Sequence, residues 1–204
     1  MKKGQMLRSR AKAEAVDLLI VHGFNGFSFN LLADRVGTTS ANLHYHFKNK
    51  MTLVEDVIDD YANDTAAWFG SIWLDEGADF ASKVRATYRF NKRRYGRFNN
   101  ARRNGRPWSL IARMRTDQEA LSEAAVNYLQ AFSKSLADDV RRGVEMCVDR
   151  GVLRADTPVD AVALQVTSII NSAGPITQDA GNIKSLEKLY EAFLSTVLEA
   201  YGTE

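Results

Sequence analysis

The alternation of apolar and polar positions predicts helices along almost the whole chain and gives little reason to place a strand. Leu7, Ala11, Ala15, Leu18 and Leu19 recur at helical spacing, which predicts a first helix from about Leu7 to His22 that stops at Gly23. Leu31, Leu32 and Val36, then Leu43 and Phe47, repeat that spacing on either side of a break at Gly37, Thr38 and Thr39. This is the punctuation of two short helices and a turn. Ser28 can cap the first of them, Ala33 is small enough for a second helix to cross close over it, and Gly37 can take the positive φ that ends it. The second, from about Ser40 to Phe47, turns Leu43 and Phe47 inward and leaves Thr39, Ser40, Asn42, His44, Tyr45 and His46 for other surfaces.

Further on, Leu53, Val54, Val57, Ile58, Tyr61, Trp68, Phe69 and Ile72 predict one long helix, about Lys50 to Trp73, ended in the region of Gly77. No Pro- or Gly-rich linker precedes it, so two domains sharing this helix and moving together are expected. Val84, Tyr88 and Tyr95 line another helix, flanked by Arg85, Arg89 and Lys92. Asn104 and Gly105 read as a turn, and Pro107 suits the first position of a short helix through Met114. With Thr116 or Asp117 as its cap, a long helix is expected from about Gln118 to Arg150, with Leu121, Ala125, Tyr128, Leu129, Phe132, Leu136, Val140 and Val144 as its buried stripe. Asp156 or Thr157, then Pro158, opens the next helix, which Gly174-Pro175 should end. Asn182 opens a last one with Leu186, Leu189, Phe193, Val197, Leu198 and Tyr201 on one face. Two apolar helices at the C-terminus are more core than one subunit of this size needs. The expected architecture is all-α with about nine helices.

Composition sharpens this. At 204 residues and 45% hydrophobic, the chain can bury a substantial core. A single cysteine, Cys147, rules out an intrachain disulfide, no leader with a cleavage site begins the chain, and no run of about 18 apolar residues occurs. A cytoplasmic protein without membrane contact is the expectation. The formal net charge is only +2, but residues 1–50 carry eight Lys and Arg, Lys2 and Lys3 included, against three acids. That excess of +5 leaves −3 on the remainder. Such an imbalance suits a polyanion partner, and the basic start from Arg8 to Lys12 could meet a DNA backbone or a minor groove. A second basic stretch, from Lys83 to Arg115, holds twelve Lys and Arg and no acid.

The first residues of the second helix in such a unit reach base edges in a major groove, where Ser, Thr and Asn suit hydrogen bonding, and Lys48 and Lys50 fall where phosphates would run. Enzyme signatures are absent: no G-x-S-x-G elbow, no phosphate-cradling G-x-x-x-x-G-K and no G-x-G-x-x-G. His44 and His46 have the look of a ligand pair, but two positions on a helix are about 200° apart, so their rings diverge and no metal site is expected. Cys147 reads as buried packing. No cofactor is expected.

The run L-A-D-R-V-G-T-T-S-A-N-L-H-Y-H-F-K-N-K-M-T-L resembles the N-terminal domain of bacterial transcriptional regulators of the tetracycline-repressor (TetR) type. The resemblance covers roughly the first quarter of the chain. It implies that Thr38, Thr39, Ser40, Ala41 and Asn42 approach bases, while Ser28, Tyr45, His46 and Lys50 approach phosphates. One position departs, His44 standing where the family usually has Tyr; an imidazole meeting a phosphate there would make the contact pH dependent. The resemblance further implies a helix-turn-helix DNA-binding domain over residues 1–50 and a helical effector-binding and dimerisation domain over 51–204. The partners expected are double-stranded DNA with a palindromic operator, a small-molecule effector, and a second copy of the chain held through the two C-terminal helices. Family relatives bind inducers in the second domain, so a pocket walled by some of Trp68, Phe69, Trp73, Tyr88, Tyr95, Phe98, Trp108 and Phe132 is expected, with the basic run beside it pointing to an anionic ligand. Against that stands a solvated surface whose arginine stems cover the core. The reading is a ligand-responsive repressor; the alternatives are a constitutive or architectural DNA-binding protein without an effector, and a small helical enzyme.

Overall fold

The structure, a computed structural model, describes residues 3–203, Lys3 by its backbone alone. Lys2, counted in the basic start, lies outside the described residues. Among these residues the chain forms nine α-helices and no strand: α1 (Lys3–Gly26), α2 (Phe29–Val36), α3 (Ser40–Phe47), α4 (Lys50–Trp73), α5 (Phe80–Phe98), α6 (Leu110–Thr116), α7 (Glu123–Asp149), α8 (Val159–Asp179) and α9 (Lys184–Tyr201). They fall into two compact units. One comprises the chain up to Asn63 with Ser109–Ala131, the other Asp64–Trp108 with the chain from Phe132 onward. No helix among the described residues is long and apolar enough to cross a membrane.

In the first unit, α1 packs on α2 and on α6, and α2 packs on α3. The core is made by the predicted stripe of Ala11, Ala15 and Leu19, with Leu32, Val36, Leu43, Phe47, Leu53 and Val54, all buried. Regular helix geometry in α1 breaks at Gly23 (φ 69°, ψ 178°), where the sequence placed its end. Glycine suits this position because a residue with a Cβ would be strained at that positive φ, and its Cβ would also displace the Arg113 guanidinium. The freed amide of Phe24 donates to the Asp117 carboxylate at 2.7 Å.

That bond explains a departure from the expected helix over Gln118 to Arg150. With its carboxylate turned to Phe24, Asp117 caps nothing downstream. Gln118–Ala120 closes as a single tight 3-10 turn, Leu121 is extended, and α7 starts afresh at Glu123. Ser122 accepts from Ala125 N (3.3 Å) and donates to Glu55 (2.5 Å). Likewise Pro107 does not open α6; Ser109 does, accepting from Ala112 N.

In the second unit α5 packs on α8 and α9, which also pack on each other. Asp79 caps α5 by accepting from Ser82 N at 2.6 Å, and this hydrogen bond holds its carboxyl below the usual range. Lys83, one of the twelve residues of the basic run, is fully buried. Its ammonium donates to the carbonyls of Trp73 (2.8 Å) and Asp75 (2.5 Å), closing the C-terminal end of α4, and burial pushes its pKa down. Gly174-Pro175 does not end α8, which runs four residues further. Gly174 has no Cβ to meet the proline ring, and Thr177 ties the last turn by donating to Ala173 and Gly174 carbonyls while accepting from Trp108 Nε1 at 2.7 Å. On α9 the buried face is Leu186, Tyr190, Phe193, Leu194 and Val197; Leu189 is exposed.

Candidate nucleic-acid interface

The helix-turn-helix is built by its caps. Ser28 accepts from Leu31 N at 3.3 Å, Gly37 ends α2 with φ 65°, and Thr39 opens α3 by accepting from Asn42 N at 3.2 Å. Leu43 and Phe47 are buried as expected, so the other face of α3 points away from the unit's core. Leu31 does not join the core as its spacing predicts and is 40% exposed; its place is taken by Phe29, which the His44 ring meets edge-on at 4.6 Å.

The exposed side of α3 carries Ala41, His44 and Tyr45, with Thr38, Ser40, Asn42 and His46 half-buried beside them. Tyr45 is 83% exposed, the most open large aromatic among the described residues. Asn42 donates one amide hydrogen to the Thr38 hydroxyl at 2.9 Å. This fixes the carboxamide and leaves its oxygen and a second N–H for another partner. A groove of about 750 Å³ runs beside these residues, lined by Leu7, Arg10 and Ala13 of α1 together with Val36, Thr38, Asn42 and His46.

Lys48 occupies an unusual backbone position. At φ 63° and ψ −62° it is the single non-glycine residue with positive φ among the described residues. The Asn49 amide closes a three-residue turn on the Phe47 carbonyl at 2.7 Å. Such γ-turns are rare and strained for a residue with a Cβ. The His44 Nδ1–H donates to the Lys48 carbonyl at 3.0 Å and so steadies the turn, a role the sequence did not reveal. The Lys48 side chain is exposed. Lys50 is turned differently: its ammonium lies 4.2 Å from the centre of the Phe24 ring, and burial lowers its pKa.

The basic start is largely engaged inside the unit. Arg8 donates to the carbonyl of His46 (3.0 Å), pairs with Asp56 of α4 (2.6 Å) and lies over the Phe47 ring (4.9 Å), so one guanidinium joins α1, the end of α3 and α4. Lys12 pairs with Asp60, and Arg35 with Glu14 at 2.9 Å. Arg10 alone of the three basic residues from Arg8 to Lys12 lines the groove beside Thr38 and Asn42.

The aromatics proposed to wall a pocket meet different fates within the second unit. Phe69, Trp73, Tyr88, Tyr95, Trp108 and Phe132 are buried, Phe98 is half-buried and Trp68 is 43% exposed. Phe90, which the sequence reading passed over, links several of them: Trp68 stacks on it at 4.6 Å and Phe69 meets it edge-on at 5.1 Å. Tyr95 meets Trp108 edge-on at 6.4 Å, and Arg94 lies over the rings of Phe90 and Trp108. Burial pushes the Arg94 pKa down to about 10. Trp73 belongs to the packed core, its Nε1 donating to Thr87. The hydroxyl of Tyr95 is buried without a hydrogen-bond partner among the described residues. No group of three or more His, Cys, Asp or Glu among those residues could hold a metal ion.

Residues 13–57 match the sequence profile of the bacterial regulatory proteins of the tetR family. The fold as a whole is similar to that of a TetR-family transcriptional regulator from Agrobacterium tumefaciens (TM-score 0.80, 21% identity, covering 96% of this chain and 99% of that one). It is equally similar to a TetR transcriptional regulator from Chloroflexus aurantiacus J-10-FL (TM-score 0.80, 18% identity, all of both chains). A third solved structure with this fold is AibR in complex with isovaleryl coenzyme A and operator DNA (TM-score 0.67, 17% identity, covering 94% and 97%). No curated protein matches the sequence.

Proposed function

We propose that this chain, which carries the tetR-family DNA-binding segment and the fold of such regulators, is a ligand-responsive transcriptional repressor that binds a palindromic operator as a homodimer. The observation that carries the reading is the presented face of α3 inside the matched segment, with Ala41, Asn42 and Tyr45 turned away from the Leu43 and Phe47 core. Residues 38–42 read bases, and Ser28, His44, Tyr45, His46, Lys48 and Lys50 surround the phosphates. Asn42 keeps one N–H and its carbonyl oxygen, the donor and acceptor with which an asparagine reads adenine. Ala41 offers a methyl to a thymine.

Dimerisation through α8 and α9 is supported by the faces these helices leave uncovered. Leu164, 67% exposed, continues through Ser168 and Ser172 on α8, and Leu189 through Ala192 and Thr196 on α9. These are apolar or small side chains at helical spacing, which let a second copy approach closely. A two-fold dimer would set its readers about one DNA turn apart, roughly 34–36 Å. The effector reading rests on the aromatic cluster around Phe90, Tyr95 and Trp108, with Tyr88, Phe98 and Phe132 as further candidates, and on AibR, whose complex holds both a coenzyme A thioester and operator DNA. An effector favouring the state that binds DNA weakly lowers operator affinity by the same coupling, with α4 as the lever. Such a regulator works in the cytoplasm, and its domains are a reader over about 1–50 and a helical remainder.

Fluorescence anisotropy with a labelled duplex selected from a random library tests this. Base preference that Asn42→Ala loses at one base pair of each half-site only, and a sedimentation species twice the chain mass, support the reading. Binding insensitive to every α3 substitution would overturn it. Release by an added compound separates an effector-controlled repressor from a constitutive DNA-binding protein.

A further inference from the structure

The twelve Lys and Arg between Lys83 and Arg115 are not equivalent. Lys83 is buried as a helix cap. Arg85 and Lys92 face Glu191 and Glu187 of α9 at 3.7 and 3.8 Å, and Arg113 faces Asp117 at 3.7 Å. Arg93 lies over Trp68, Arg94 over Phe90 and Arg97 over Phe98, at 4.7, 5.1 and 5.6 Å. Arg102, Arg103 and Arg106 differ: they are exposed, and their side chains make no hydrogen bond, ion pair or ring contact with the described residues. Arg89 shares that freedom but stands singly on α5. The other three sit within five residues of one loop.

That loop is built. The buried Asn99 carboxamide accepts from Arg106 N at 2.8 Å and donates to the carbonyls of Arg106 and Tyr95, both at 3.2 Å, clamping the two ends together. Asn100 and Arg103 exchange backbone hydrogen bonds at 3.0 and 3.1 Å, and the Asn100 side chain accepts from Arg102 N at 3.0 Å. Gly105 sits so close to the end of α8 that a Cβ would lie 3.2 Å from the Gln178 carbonyl. Trp108 anchors the loop's exit on Thr177. A braced turn therefore carries three like charges close in sequence with no acid among the described residues answering them, an arrangement that repels itself until an anion arrives.

We propose that the loop Asn99–Trp108 is a docking site for the phosphate or pyrophosphate end of a small-molecule ligand. Guanidinium forks match phosphate oxygens bidentately, and a phosphate ester carries about two negative charges, which a carboxylate does not. A small anion fits better than duplex DNA. The four peptide steps from Arg102 to Arg106 could reach at most about 14 Å if extended, and the chain folds back on itself there, so the charge is a spot and not a stripe along a backbone. The proposal rests on the reading that the chain answers a small molecule.

Calorimetry of the full-length protein with inorganic pyrophosphate at low salt tests it, with sulfate at matched ionic strength as the control for screening. Saturable binding of pyrophosphate, at least tenfold weaker in the Arg102→Gln, Arg103→Gln, Arg106→Gln triple variant and unchanged in Arg89→Gln, is the expected result. No binding by the native protein, equal affinity in the triple variant, or an equal response to sulfate would overturn it. So would a loss of duplex DNA affinity in the triple variant with a salt slope reduced by about three, since the loop would then be a nucleic-acid contact. Failure of the native protein to bind any duplex would defeat the repressor reading while leaving the pyrophosphate result readable on its own.

Discussion

Two basic regions of this chain look alike in sequence and are used in opposite ways. In the first unit Arg8, Lys12 and Arg35 are each tied to a carboxylate of a neighbouring helix, so these cations hold the unit together, while Lys48 and Tyr45 on and beside α3 stay exposed. In the second unit the part of the run from Lys83 to Arg106 begins with a buried cap, continues through residues engaged by acids and rings, and releases three arginines on one braced loop. Charge in a sequence is thus a poor guide to charge on a surface. What decides is whether the fold brings an acid, a ring or a helix end to meet it.

The comparison can be broken most forcefully at Lys83. Replacing Lys83 with Met leaves two carbonyls at the end of α4 without their donor, and each buried unsatisfied group costs about 1–3 kcal/mol, so urea denaturation is expected to show a loss of roughly 2–4 kcal/mol. Arg102→Gln should lie within about 0.5 kcal/mol of the native protein. Equal stabilities for the two variants would erase the distinction between built-in and presented cations.

Arg8 comes next. Arg8→Ala frees the end of α3 from α1 and α4, and operator affinity is expected to fall about tenfold, roughly 1.4 kcal/mol, with the salt slope unaltered because no phosphate contact is removed. A slope reduced by one would instead make Arg8 a backbone contact.

Lys48 supplies the contrasting case within the same unit. Lys48→Ala should reduce the salt slope by about one, whereas Lys48→Gly should lose the same DNA affinity yet raise unfolding stability by about 1 kcal/mol, because glycine accepts the positive φ. If Lys48→Gly is no more stable than Lys48→Ala, the turn is not strained.

The smallest effect is at Asp79, an acid that builds and does not bind. Its folded pKa lies below the unfolded value near 3.8, so the stability it contributes is complete above that value and disappears as pH falls through the lower folded one. Asp79→Ala should therefore cost roughly 0.5–1 kcal/mol at neutral pH and nothing in strong acid. A cost that persists in acid would mean that the cap is not carried by the carboxylate.

Much of this was legible in the sequence where local rules act alone. The bounds of α3 and α4 follow from Thr39, Gly37 and the apolar spacing, and the buried stripe of α7 falls where Ala125, Leu129, Phe132, Leu136, Val140 and Val144 put it. Where a distant residue intervenes, spacing fails. Asp117 reads as a cap for the helix after it and instead answers Phe24, 93 residues earlier. Gly174-Pro175 reads as a stop, but Thr177 and Trp108, 69 residues apart, secure the turn beyond it. Leu31 and Leu32 cannot both face inward on one short helix, and the core takes Leu32 with Phe29. On the interface, residue types alone pointed to Asn42 and Lys48; the fixed carboxamide of the one and the strained backbone of the other needed coordinates.

The central claim, that the presented end of α3 reads DNA for a two-fold dimer, is tested most directly by selecting bound duplexes from a random library with the native protein and with Asn42→Ala. The account predicts an enriched palindrome with half-sites centred about 34–36 Å apart, and loss of preference at one symmetric pair of positions, an A·T pair in each half-site, in the variant. Absence of enrichment, or an enriched sequence identical for both proteins, would contradict it.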